Sequence, residues 1–379
     1  METLQPKLRF PEFDGNWESK IFKKTCVINP SNKKLPQKFI YIDLESVNNG
    51  LLHKENEILL DEAPSRAQRL LNKKDVLFQM VRPYQKNNFY FDKEGDYVAS
   101  TGYAQLRANE SSKFLFQYLH NQKFVDKVIE KCTGSNYPSI NSTDLANIIV
   151  VFPENKEQTK IANFLSSIDE KLNLLKEKKA LLEDYKKGIM QKIFNQEIRF
   201  KDDNGNDFED WENKTLGECL NFEQPTKYLV DSTDYNGDFE TPVLTAGKTF
   251  ILGYTDEVNG IFKKEELPVI IFDDFTTATQ FVDFQFKAKS SAMKILKAKE
   301  NTNIKFVYEA MQNLKFEVGG HGRHWISIYS NLYIDFPSLS EQTKIANFLT
   351  AIDEKIELVS NQIQDTQEYK KGLLQKMFV

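Results

Sequence analysis

The nonamer EQTKIANFL stands at residues 157–165 and again at 341–349. Extended without a gap, the two copies run 157–194 and 341–378 and are identical at 21 of 38 positions. An internal repeat of this length limits the architecture before any local motif is read. Each copy must make the same structure, and the rest of the chain must be arranged around two of them.

The repeated segment reads as helix. In the first copy Ile161, Leu165, Ile168, Leu172, Leu175, Leu182, Ile189 and Ile193 fall on a 4-3 spacing, with Lys179 and Lys186 in the same frame. The second gives Ile345, Leu349, Ile352, Ile356, Val359, Ile363, Leu373 and Met377, with Thr366 and Lys370 in the gaps. This is a heptad seam with charges at most other positions. Neither copy contains proline, and Gly188 and Gly372, each in YKKG, are its helix-weakening residues. About 30 helical residues make a rod of roughly 45 Å. Two matching seams in one chain most simply bury each other, and two similar halves favour an antiparallel pair. The alternative is that each helix packs separately onto its own globular half.

The remainder repeats more faintly. A strand-like run ending in Phe-Pro precedes each nonamer, IIVVFPENK (148–156) and LYIDFPSLS (332–340). Before these stand polar glycine-containing loops, CTGSNYPSIN (132–141) and VGGHGRHWIS (318–327), and helical patterns over 113–131 and 303–316. Upstream, both halves alternate like β-strands, as in DVLFQMV, PVIIFDDF and TQFVDFQF. Each half opens on an acidic, Trp-bearing segment, FPEFDGNWE or NDFEDWE. The two β-rich regions show no residue-by-residue similarity. The expected boundaries are 1–156, first globular domain; 157–198, central helix; 199–340, second globular domain; 341–379, C-terminal helix.

Bulk properties exclude several classes. The chain of 379 residues is long enough for more than one domain. No apolar run approaches a membrane span and no secretory h-region is visible, so a cytoplasmic protein without a membrane is expected. Cys26, Cys132 and Cys219 lie far apart and read as small hydrophobes. The net charge is −5, with excess acid in KDDNGNDFEDWE (201–212), which reads as a solvated connector. There is no Walker-type loop, no GxGxxG, no Asn/Asp-Pro-Pro-aromatic element and no metal-ligand spacing. No catalytic residue, cofactor or metal is expected.

The motif FP-x₃-EQ-x₂-IA-x-FL-x₂-IDEK followed by YKKG-x₂-QK-x-F, twice around unlike globules, resembles the DNA-specificity subunit of type I restriction–modification systems. KKDVLFQMVRPY and DYVASTGYAQLRA are similar to one style of target-recognition domain, and TPVLTAGKTFILGYT with VIIFDDFTTAT to another. The resemblance implies an α+β fold: two mixed α/β target-recognition domains joined by two long helices forming an intramolecular antiparallel coiled coil, pseudo-twofold. It implies a non-catalytic subunit whose domains each read half of a bipartite site in double-stranded DNA. The helices set the gap and dock two adenine methyltransferase subunits, and two translocase–nuclease subunits join the complex. Two rival readings stay open: a recognition subunit of another restriction class with a fused methylase–nuclease partner, and a coiled-coil scaffold with no DNA role.

DNA reading needs cations for phosphate and planar or amide groups for base edges. In the first half the candidates are Arg66 and Arg69 of APSRAQRL, Arg82 and Tyr84 of VRPY, and Ser135, Asn136 and Tyr137 of GSNYPS. Either arginine pair serves equally as surface charge or internal salt bridge. Ser100, Thr101 and Tyr103 of STGY are expected beside the site rather than buried. In the second half the candidates are Thr245 and Lys248 of TAGKT, and His321, Arg323 and His324 of GGHGRHW, with Trp325 as core. Asp273, Asp274 and Thr276 read as turn caps. Lys287, Lys289, Lys294, Lys297 and Lys299 read as a solvated face and a weak phosphate stripe.

Overall fold

The computed structural model describes residues 4–32, 34–48, 50–245, 247, 249–314 and 324–379. Its contacts divide the chain into two compact units. The first holds residues 1–177 and 360–379, the second 178–359.

Both repeat copies are helical, over Asn155–Phe194 and Leu339–Lys376. At 40 and 38 residues they are longer than a rod of about 30, because the helix continues through YKKG in both copies and begins two residues before each nonamer, just after the Phe-Pro. Each unit contains the start of one helix and the end of the other. In the first, Leu165 and Ile168 share a core with Leu373, Met377 and Phe378, and Asp169 binds Lys370. In the second, Met190 and Ile193 share a core with Ile345, Leu349 and Ile352, and Lys186 binds Asp353. Within each unit the helices are therefore antiparallel. They also pack on the globular part of that unit, but the helices pair with each other in both units, and the alternative of separate packing is not realised.

These contacts explain the repeated letters. Glu157 and Glu341 are buried and held bidentately by Arg9 and Arg199. Gln158 and Gln342 fold back to the carbonyls of Pro153 and Pro337 at 3.0 and 2.8 Å. Ile161, Ala162 and Leu165 are at most 2% exposed, as are Ile345, Ala346 and Leu349. Each large aliphatic side chain buried this fully contributes about 2 kcal/mol. The Asp of IDEK and the first Lys of YKKG form the ion pairs Asp169–Lys370 and Lys186–Asp353, which place charged groups beside an otherwise apolar seam.

The first unit has two four-stranded sheets. One runs Cys26–Ile28, Tyr103–Ala108, Val76–Gln79, Phe89–Tyr90, all antiparallel. The other runs Asn56–Leu59, Lys38–Ile42, Tyr97–Ser100, Ala67–Leu70, with its middle pair parallel. The second unit has a four-stranded sheet in the same order as the first of these: Leu220–Glu223, Met293–Ala298, Val269–Asp273, Thr279–Val282. Its other sheet has three strands, Ile251–Thr255, Thr241–Leu244 and Lys287–Ala288. In each unit the Trp-bearing segment leads into a strand that pairs with the Phe-Pro strand: Glu18–Ile21 with Ile149–Phe152, and Glu212–Thr215 with Tyr333–Phe336. The globules, unlike in sequence, thus share a scaffold, and they diverge in the second sheet.

Chain entry onto each helix end also matches. Leu8 N donates to Lys376 O at 2.8 Å, and Ile198 N donates to Lys192 O at 3.2 Å. The helix Ser112–Tyr118, capped by Ser111, corresponds to Ile304–Asn313, capped by Asn303.

The expected solvated lysine face is not present. Lys287 and Lys294 are buried, pairing with Glu257 and Asp274 at 2.5 and 3.1 Å. Lys297 binds Glu223 and Glu266, and Lys299 binds the carbonyl of Gly217. Strand alternation and a dense set of carboxylates turn these amines inward, where charge must be paired. Cys26 and Cys219 are buried free thiols and Cys132 is half-buried. Burial raises the Cys26 thiol to about 12 and that of Cys219 to about 11. Among the described residues no helix is long and apolar enough to cross a membrane.

Candidate nucleic-acid interface

In the first unit, two sequence motifs far apart in the chain meet. Val81 bridges to Ser139, Arg82 N donates to Pro138 O at 2.7 Å, and Ile140 N donates to Met80 O at 3.1 Å. VRPY and GSNYPS are thereby laid side by side. Arg82 adopts a left-handed backbone (φ 53°), which aims its guanidinium over the ring of Tyr137 at 4.2 Å. Tyr137 is 64% exposed, Tyr84 is exposed, and Ser135 and Asn136 are exposed beside them. A planar cation stacked on an exposed ring, flanked by amide and hydroxyl groups, suits base edges and phosphates alike.

Arg66 and Thr101 form a second surface group: Arg66 is exposed, and its carbonyl accepts from Thr101 N at 2.9 Å. Arg69 sits half-buried in the strand Ala67–Leu70, opposite Ala99. Burial draws its guanidinium below its ordinary range, and its Nε has no hydrogen-bond partner among the described residues. The expectation that Ser100 and Tyr103 lie beside the site rather than in the core is corrected. Ser100 is 4% exposed, with its hydroxyl accepting from Gly102 N at 3.1 Å. Tyr103 is fully buried in the strand Tyr103–Ala108, and burial pushes its phenol well above the usual range. The ring packs in a core with Leu77, Phe89, Phe91, Tyr97 and Ala99, and this burial overrides the polar character of its hydroxyl. Arg107, in the same strand, is held bidentately by buried Asp75.

In the second unit Thr245 closes a turn: its hydroxyl donates to Thr249 O and accepts from Gly247 N at 3.2 Å. Lys248, His321 and Arg323 lie outside the described residues. His324 is 2% exposed, and neither ring nitrogen has a hydrogen-bond partner among the described residues. Its place inside the fold corrects the expectation that it is available to a ligand at the surface. Trp325 is core, stacked edge-on with Phe272 at 5.3 Å. Asp273 caps a turn, as read from sequence, accepting from Phe275 N and Thr276 N. Asp274 does more than cap: it pairs with Lys294 and accepts from Trp325 N at 2.9 Å. Sequence reading passed over Phe275 and Ile326, which are exposed large apolar side chains flanking these bonds. Among the described residues no cluster of His, Cys, Asp and Glu suits a metal.

The family model described as type I restriction modification DNA specificity domain matches residues 19–184 and 208–367. The specificity subunit of the Escherichia coli type I restriction enzymes EcoR124I and EcoR124II is 51% identical over 145 residues, 35% of this chain and 36% of that one. A putative type I restriction enzyme MjaX specificity subunit from Methanocaldococcus jannaschii is 27% identical over 272 residues, 67% of this chain and 63% of that one. The alignments thus span from about a third to under two thirds of these relatives' own length. A crystal structure of a type I restriction–modification S subunit from M. genitalium superposes with a TM-score of 0.67 at 16% identity, covering 99% of both chains. A chain from a solved structure on complex assembly and conformational transition of the type I R-M system gives 0.55 at 19% identity, covering 96% of this chain and 97% of that one. At such identities the superpositions speak for the fold. The two family matches occupy both globular parts and most of both helices, and the chain belongs to the type I restriction–modification DNA-specificity family.

Proposed function

We propose that this chain is the DNA-specificity subunit of a type I restriction–modification complex. Each globular part reads one half of a bipartite target in double-stranded DNA, and the helix pair sets the gap. The chain itself is non-catalytic; adenine methyltransferase subunits and translocase–nuclease subunits supply the chemistry. The observation that carries this reading is the doubling itself. One scaffold, repeated with nearly the same helix contacts, presents two different sets of surface loops, which suits two recognition tasks linked by one spacer. Exposed apolar side chains recur at matched helix positions, Leu174 with Leu358 and Tyr185 with Tyr369, which favours two copies of one docking partner. Methylation requires the target adenine to leave the stack, a task for the methyltransferases.

Long-read mapping of methylated adenines, in cells expressing the chain with its partner subunits, tests the reading. A bipartite motif with one fixed gap is expected; methylation without such a motif overturns it. Inserting about four residues, ~6 Å, into both helices should lengthen the gap by about two base pairs. Separate methyltransferase and translocase genes beside this one favour the type I reading over a fused methylase–nuclease partner.

A further inference from the structure

The shared four-stranded sheet allows position-by-position comparison of the two units. Phe78 faces Ala104 as Phe272 faces Lys294. Met80 N donates to Gly102 O at 3.0 Å, as Asp274 N donates to Ala292 O at 3.1 Å. Met80 O accepts from Ile140 N at 3.1 Å, as Asp274 O accepts from His324 N at 2.9 Å. Three positions therefore correspond: Met80 with Asp274, Ala104 with Lys294, Ile140 with His324. The first unit fills them with hydrocarbon, and the second with an acid, an amine and an imidazole. All six are buried, the polar three at 1, 1 and 2% exposure.

The scaffold accepts an apolar trio here, so packing does not demand the charges. A buried ion pair is commonly no more stable than hydrocarbon of similar volume. This one is also incompletely satisfied. Lys294 Nζ lies 3.1 Å from Asp274 Oδ2 without a well-directed hydrogen bond, and both nitrogens of His324 lack partners among the described residues. What the trio does hold is backbone. The carbonyl and carboxylate of Asp274 grip the consecutive N–H groups of His324 and Trp325, while Asp273 caps Phe275 and Thr276. The exposed side chains of Phe275, Thr276 and Ile326 ride on the backbone so fixed.

We propose that Asp274, Lys294 and His324 are positioning residues that hold a reading surface made by Phe275, Thr276 and Ile326, and that discrimination at one half-site depends on them. The proposal rests on the DNA-reading function above. Lys294 anchors the carboxylate so that Oδ1 faces Trp325 N. Phe275 and Ile326 offer apolar contact of the kind that reads a thymine methyl or wedges a base step.

The test grafts the first unit's trio into the full chain, Asp274→Met, Lys294→Ala and His324→Ile, assembled with its methyltransferase subunits. Melting temperature and methylation rates are measured on targets altered in either half-site. The graft should melt at or above the wild type and lose about tenfold in discrimination at the second unit's half-site, with the other unchanged. Unchanged discrimination at both half-sites overturns the proposal. So does a lower melting temperature with both half-sites lost, which marks the trio as structural. Phe275→Ala, outside the trio and exposed, should reproduce the one-sided loss, and its failure to do so also overturns the proposal. The wild-type complex separates the two levels: if it shows no bipartite dependence, the function fails before the trio is tested.

Discussion

The joint between globule and helix pair is built twice, from the same letters, yet the two joints are wired differently. In the first unit Asp169 takes Lys370 and the amide of Gln117. In the second, Asp353 takes Lys186 and Lys305, and Glu309, standing where Gln117 does, binds both lysines as well. Trp17 and Trp211 are counterparts too, but Trp211 donates to Glu341 at 2.9 Å while the buried indole N–H of Trp17 has no partner among the described residues. The repeat thus preserves the geometry of the joint. Each globule completes the hydrogen bonds in its own way, so equal substitutions in the two joints should have unequal effects.

The largest effect is expected at the buried glutamates. Arg9→Met leaves Glu157, 1% exposed, with no described counter-charge, and should destabilise the first unit by about 3–5 kcal/mol. Arg199→Met should destabilise the second by less, by about 1 kcal/mol or more, because Trp211 still donates to Glu341. Chemical denaturation of both variants checks this, and equal losses would break the distinction.

Exchanging the network residues comes next. Glu309→Gln copies the first unit but leaves Lys186 and Lys305 facing Asp353 alone, at a loss of about 3 kcal/mol. Gln117→Glu adds a buried carboxylate beside Asp169 with Lys370 as the described cation, and should be similarly unfavourable. If either exchange is neutral, the networks are interchangeable and the wiring carries no information.

Acid should separate the units by a smaller amount. Burial, helped by the charge of Lys370, lowers the His120 imidazole from 6.5 to about 4. Counted from the helix caps Ser111 and Asn303, its counterpart in the second unit is Gln312, which binds Thr279. A histidine held neutral in the fold stabilises above its unfolded pKa. That stability is lost as pH falls from about 6.5 towards about 4, because the unfolded chain takes up the proton first. The first unit should lose about 2 kcal/mol over this window. His120→Gln should remove the dependence in a pH series of denaturation curves. The second unit weakens lower down. Burial works against ionised Glu223, but Lys227 and Lys297 outweigh it and bring the carboxyl to about 2. Its contribution is present above pH 4.5 and disappears towards pH 2.

The same contrast explains what was readable in the sequence. The helices, their antiparallel pairing and the Phe-Pro strands were legible because heptads and repeated letters report packing directly. The shared four-stranded sheet was not, since Val76–Gln79 and Val269–Asp273 need only be apolar and extended, a demand many sequences meet. Surface loops such as GSNYPS were found from glycine and polar character. Ser100, Tyr103, His324, Lys287 and Lys294 are polar yet buried, because packing partners and nearby carboxylates, not polarity, decide exposure. Phe275 and Ile326 escaped for the mirror reason: nothing in a local sequence marks an aromatic or aliphatic residue as exposed.

The smallest stability effect should fall at the proposed reading surface of the first unit. The stack of Arg82 on Tyr137 is exposed, and such a contact contributes about 0.5–1 kcal/mol. Tyr137→Leu should therefore hardly move the denaturation midpoint of the first unit, and Arg82→Ala likewise. Both should cut discrimination at that unit's half-site by about tenfold, on the scale of one lost base contact, and leave the other half-site as it was. Methylation rates on paired half-site variants give the answer. A loss shared by both half-sites would mean that Arg82 supplies a phosphate contact, which weakens all sequences alike and reduces the salt dependence of binding. A loss confined to one half-site would assign VRPY and GSNYPS to reading bases. The joints would then carry the stability and the loops the specificity, in a chain whose repeated letters belong to the joints.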